Sequence, residues 1–178
     1  SLVLPCGSLA SLPCPDITNI HHFAEGKAVA EPSYQTKYDM AIKDLAMCIG
    51  AALRGFHAYG VIRIIGHASG EGSLKVNQEL GQARASQVKA DLRKALLSQG
   101  LPVGTWYGSP KVGAVLLEAS SAGETNLFKR PERTESDRKL NRRVEIDLHG
   151  LMRCGPTEEP NPWTPVPSPF PRSKMGSE

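Results

Sequence analysis

The stretch VIRIIGHASGEGSLKVNQELGQARASQV, residues 61–88, decides the fold. Val61, Ile62, Ile64 and Ile65, interrupted only by Arg63, form a β-branched run suited to a strand with most of its surface covered. Gly66 closes the run. Gly70 and Gly72 give the backbone freedom that a tight strand-to-helix connection needs, and they let a ligand approach main-chain N–H groups. Beyond them the apolar period becomes helical. Leu80, Arg84, Val88, Leu92 and Leu96 follow one i+4 row, with Asn77 seven residues before Arg84. The spacing predicts Arg84 at the edge of the apolar stripe, half sheltered. Two readings of it stand open: a side chain that lays its methylenes over the core with its head in water, or a guanidinium beside the turn amides that holds a carboxylate through two parallel hydrogen bonds.

Upstream, Ile17 to Phe23 reads as a strand. Gly26 and Pro32 break it before a helix from about Tyr34 to Leu53, with Met40, Ala41, Leu45, Ala46, Cys48 and Ile49 as its buried face and Gly55 at its end. The adjacent His21 and His22 point to opposite sides of a strand and do not make a metal pair. Downstream, Gly100 and Pro102 mark a turn, and Val103 to Tyr107 fits a third strand. Val112 to Leu117 fits either a short strand or a packed loop. Residues 129–143 carry seven basic and three acidic side chains, a surplus that suits an anionic polymer or a solvated face. Val144, Ile146 and Leu148 alternate with Glu145, Asp147 and His149, as a half-buried closing strand does. These elements set the expected organisation: an extended lead-in over residues 1–16, a domain over 17–150, and a proline-rich tail over 151–178 in which Trp163 and Phe170 are anchor candidates.

The whole chain bounds the function. At 178 residues and 40% hydrophobic it can bury a core, and a net charge of +3 is too small to indicate nucleic acid. No run of about 20 apolar residues is present to span a membrane. The chain opens at Ser1 rather than methionine, as a processed or trimmed chain does. None of Cys6, Cys14, Cys48 and Cys154 forms a C-x-x-C pair, which argues against zinc. Cys6 with Cys14 and Cys48 with Cys154 are the pairings considered, each equally readable as free thiols. No serine, cysteine or carboxylate pair sits in a context that names a nucleophile and its base, the glycines do not form a phosphate-binding loop, and no cofactor is called for.

Two motifs carry a resemblance. Asn77, Leu80, Arg84, Ala85 and Val88 after the glycine-led turn, and NRRVEIDL from Asn141 to Leu148, resemble the two signatures of the OmpA-like domain family over roughly residues 17–150. The resemblance implies an α/β sandwich, a mixed four-stranded sheet with helices on one face, in a noncatalytic domain that binds peptidoglycan by gripping the diaminopimelate of the stem peptide. It implies a periplasmic, outer-membrane-associated setting, oxidising enough for disulfides. In the family an aspartate after the strand and the helix arginine clamp the ligand. Here that segment reads Gly66-His67-Ala68-Ser69, so serine stands where the charge is expected and offers an ammonium only a neutral hydrogen bond. Glu71 is the nearest acidic candidate to replace it. Arg84, Ser69, Asn77, Leu80, Ala68, His67, Phe23 and Arg143 are the residues the resemblance puts at the ligand. The competing expectation is a domain that has kept the fold, lost wall binding, and serves as a structural subunit of a secretion or conjugation machine through its two tails.

Overall fold

The computed structural model describes residues 6–8, 14–55, 58–101, 103 and 115–154. Its centre is β3, Ala58–His67, the β-branched run of the sequence lengthened at both ends. Ile62 and Ile64 are fully buried on one face, whereas Arg63 between them is exposed. β3 pairs in parallel with β4, Val115–Gly123, and on its other side antiparallel with β5, Val144–Asp147, and β6, Leu151–Cys154. The last row is made of β2, Ile17–Ile20, on β5 and β1, Cys6–Ser8, on β6. Six strand segments thus form four rows of a mixed sheet, the architecture expected. The sheet reaches past the boundaries expected at 17 and 150, because β1 and β6 extend it from the lead-in and from the start of the tail. Trp163, Phe170 and all but Val103 of the proposed third strand lie outside the described residues; Val103 makes a single parallel bridge to Val115. Of the patch read as strand or loop, Val115 to Leu117 belong to β4, and residues 112–114 lie outside the described residues.

Two long helices, α1 over Gln35–Gly55 and α2 over Leu74–Leu97, pack together with the sheet, and a short α3, Glu135–Asn141, precedes β5. Ser73 caps α2 by accepting from the Val76 N–H at 3.3 Å. Asn77, Gly81, Arg84, Ala85, Val88, Leu92 and Leu96 form its buried stripe. α3, unforeseen in the basic run, carries a capping box in which the Thr134 hydroxyl accepts from Asp137 N–H and the Asp137 carboxylate accepts from Thr134 N–H. On α1 the expected Met40 is 57% exposed, and Tyr38 and Ile42 bury in its place, because the helix turns its Tyr38–Ile42–Leu45–Ile49 edge toward the core. The Tyr38 hydroxyl reaches across to donate to Asp91 of α2 at 2.6 Å.

Cys14 is disulfide-bonded to Cys48, neither pairing considered from the sequence. Cys14 is buried, and its Cα lies 5.6 Å from that of Cys48 on α1. β2 stops at Ile20 rather than Phe23 because His22 adopts a left-handed φ of 65°, which turns the chain. Phe23 then bridges to Ala30 as an isolated pair.

Candidate functional site

The end of β3, the turn after it and the first turns of α2 meet at a backbone-to-backbone crossing. A Cβ added at Gly66 would lie 1.7 Å from the Gly81 carbonyl oxygen, and one at Gly81 would lie 2.2 Å from Ser121 Oγ. Only a pair of glycines lets the helix ride this low on the strand. That height places Asn77 and Arg84, on either side of Gly81, over the strand end.

Arg84 is not half sheltered: it has no exposed surface. Its Nε donates to Lys27 O at 2.9 Å, Nη1 to His67 O at 2.9 Å and Nη2 to Ala24 O at 3.0 Å. The guanidinium also lies 5.7 Å from the centre of the Phe23 ring. Helical spacing could not foresee this, because the covering loop, residues 24–27, comes from the distant β2–α1 connection. Burial, helped by the like charge of Arg142, lowers the Arg84 pKa to about 10, which leaves it a cation at neutral pH.

Phe23 is fully buried, its N–H donating to Arg142 O at 3.1 Å and its carbonyl accepting from Arg142 Nε at 2.9 Å. Arg142 is the neighbour of Arg143 in the NRRVEIDL motif. It is almost wholly buried and ion-paired with Glu31 and Glu135. Hydrogen bonds from Arg142 and then Arg138 pull the Glu135 carboxyl down to about 2. Asn141 fixes the arginine pair by exchanging two hydrogen bonds with the Lys129 backbone, at 2.7 and 3.0 Å.

Arg143 lies across from His67, whose N–H donates to Arg143 O at 2.9 Å. Its Nη2 donates to Asn126 O at 3.1 Å and the Phe128 ring covers it at 5.4 Å, while Nε and Nη1 are buried with no hydrogen-bond partner among the described residues. Both ring nitrogens of His67 are likewise buried without partners. Burial, with the Arg143 charge beside it, pushes the His67 imidazole down to about 4.

The unfolded chain protonates His67 near pH 6.5 and the folded one only near 4, so between those values the unfolded state holds more protons. Stability is therefore level above pH 6.5 and falls as the pH drops through this window, by up to about 1.4 kcal/mol per unit. Urea denaturation at pH 7, 5.5 and 4.5 should show the decline, and His67→Leu should flatten it. Glu135 adds to the decline only at the acid end of this window, because its stabilisation is lost as pH falls from the ordinary carboxylate value of 4.5 toward about 2.

At the turn, Ala68 and Ser69 are buried and Ala68 N–H donates to Gly123 O at 2.8 Å. Asn77 is 2% exposed, and its side-chain amide donates to Glu124. Leu80, three residues further along α2, is half-buried. Glu71 does not stand in for the missing aspartate: it is exposed and paired with Arg138 at 3.2 Å. A different carboxylate reaches the turn, Glu132, which accepts from Gly70 N–H at 2.5 Å. In the sequence it is one acid inside a basic run, and nothing in its spacing signals the contact. The arrangement brings Arg84, Phe23 and His67 into one cluster with Arg143 on its flank, and Ser69, Ala68 and Asn77 beside the turn. Among the described residues no group of three or more metal-ligating side chains occurs.

A mixed sheet with two helices carried on it is the α/β architecture expected of the OmpA-like fold. Comparison with solved structures gives the same fold. The peptidoglycan-associated lipoprotein from Burkholderia pseudomallei is similar at 18% identity and a TM-score of 0.50, over 72% of this chain and 87% of that one. The cell wall anchor of the type VI secretion system from Pseudomonas aeruginosa is 23% identical over 78% and 81% of the two chains, with a TM-score of 0.43. The periplasmic domain of Helicobacter pylori MotB is 20% identical over 80% and 78%, with a TM-score of 0.47. No family model matches the chain, and no curated protein does.

Proposed function

We propose that this domain is a noncatalytic peptidoglycan-binding module that anchors an envelope protein or complex to the cell wall through the diaminopimelate of the stem peptide. The observation that carries the reading is the strand–turn–helix junction, where Asn77 and Ser69 are buried at the glycine-rich turn and Arg84 is buried against the end of the strand. An OmpA-like fold shared with a peptidoglycan-associated lipoprotein supports it. Phe23 walls the Arg84 side of the site, His67, Ala68 and Leu80 shape it, and Arg143 offers two unsatisfied guanidinium nitrogens to a carboxylate once Phe128 moves. The Cys14–Cys48 disulfide suits an oxidising periplasm, and no helix of the described residues is long and apolar enough to cross a membrane.

The test is co-sedimentation of the full chain with purified diaminopimelate-type sacculi, with a calorimetric titration using a diaminopimelate-containing muropeptide. Saturable binding, strengthened by Ser69→Asp, supports the reading. Failure to sediment beside a control domain that does would overturn it. One observation favours a second reading, in which the domain keeps the fold as a structural subunit of an envelope machine. Arg84 has no exposed surface and spends each of its three nitrogens on a backbone carbonyl, as a purely architectural arginine would.

A further inference from the structure

Four carboxylates surround the turn of residues 69–73, and three are already occupied. Glu71 is paired with Arg138, Glu135 with Arg138 and Arg142, and Glu124 accepts from the Asn77 amide. Glu132 differs. Its Oε1 accepts from the neutral Gly70 N–H at 2.5 Å, its Oε2 is buried with no hydrogen-bond partner, and among the described residues it makes no ion pair, the Arg138 charge acting on it only at longer range. The contact is close enough that a Cβ at Gly70 would sit 2.8 Å from Oε1, with Leu127 Cδ1 at 3.9 Å as an apolar wall. A sequestered carboxylate oxygen without a donor is a costly arrangement, which a cation supplied from outside would relieve. One unpartnered oxygen suits the few directed donors of an ammonium group. A divalent metal would need six or more oxygens.

We infer that Glu132 supplies the negative charge that the turn itself lacks at Ser69, and receives the side-chain ammonium of a diamino acid. The inference rests on the wall-binding reading above, and gives the charge to a residue more than sixty positions along the chain. The arrangement divides the ligand's two charges between two segments: the β4–α3 connection brings Glu132 to the ammonium, and Arg143, with Nε and Nη1 unpartnered, is the cation on the strand-end side for the carboxylate.

The test compares two synthetic stem tetrapeptides by calorimetry on the full chain, one with a free diaminopimelate side-chain amine and one with that amine acetylated. The unsubstituted protein should prefer the free amine by about tenfold, since a charge-assisted bond replaces a neutral one. Glu132→Gln, isosteric and still able to accept from Gly70, should lose that preference while binding the acetylated peptide as before. Adding Ser69→Asp to Glu132→Gln should restore it, which a merely structural role for Glu132 would not produce. A preference undiminished in Glu132→Gln overturns the assignment and leaves the wall reading intact. Binding of neither peptide by the unsubstituted protein overturns both.

Discussion

Arg84→Ala is expected to lower the unfolding free energy by about 4 kcal/mol, a large share of the total for a domain of this size. The side chain is wholly buried, and its three nitrogens satisfy carbonyls from the β2–α1 loop and from the end of β3. Truncation leaves Lys27 O and His67 O without the guanidinium donors and Ala24 O with only the Lys27 N–H, opens a cavity beside Phe23, and frees the loop over residues 24–27 from its tie to α2. The substitution therefore cannot serve as a simple binding knockout, because lost binding would report lost structure. Arg84→Lys keeps the charge but cannot direct donors to three diverging carbonyls, so it should fall between the two. Guanidinium denaturation followed by circular dichroism measures the series. A loss below about 1 kcal/mol for the alanine variant would mean that the guanidinium does not tie the loop to the helix.

Gly66→Val should be the most damaging single change on the strand, abolishing the cooperative folded state rather than shifting its midpoint. Even one carbon at this position meets the Gly81 carbonyl oxygen at 1.7 Å, and backbone cannot move aside as a flexible side chain can. Helix α2 would have to lift off β3, breaking the burial of Ala85 and Val88 and drawing Arg84 away from His67 O. Overpacking an ordinary core site costs about 1–3 kcal/mol, and this overlap lies beyond that range. The readouts are loss of near-ultraviolet dichroism and of a cooperative thermal transition. Gly26→Ala is the fitting control. Unlike Gly66 it adopts a left-handed φ of 64°, so it carries a backbone penalty, but it meets nothing within 4 Å, and only a modest loss is expected there.

Local sequence determined much of this protein. The β-branched run at 61–65, the glycines after it and the i+4 row from Leu80 to Leu96 specify a strand, a turn and an amphipathic helix, because period-2 and period-3.6 patterns are properties of a single segment. The alternation at 144–148 specified the closing strand in the same way, and the two motifs together indicated the OmpA-like fold. The short capped helix at 135–141 was hidden, since its charges read as a solvated run and its apolar content is too small to show a period.

Tertiary structure alone decided how the pieces meet. Whether Arg84 faced water or protein depended on a loop some sixty residues upstream, and which cysteine met Cys48 depended on the fold bringing Cys14 to α1. The carboxylate at the turn came from Glu132 rather than from the neighbouring Glu71, because Arg138 holds one while the β4–α3 connection delivers the other. These contacts join residues far apart in sequence, and no local periodicity records which distant side chain a folded chain brings to a given point.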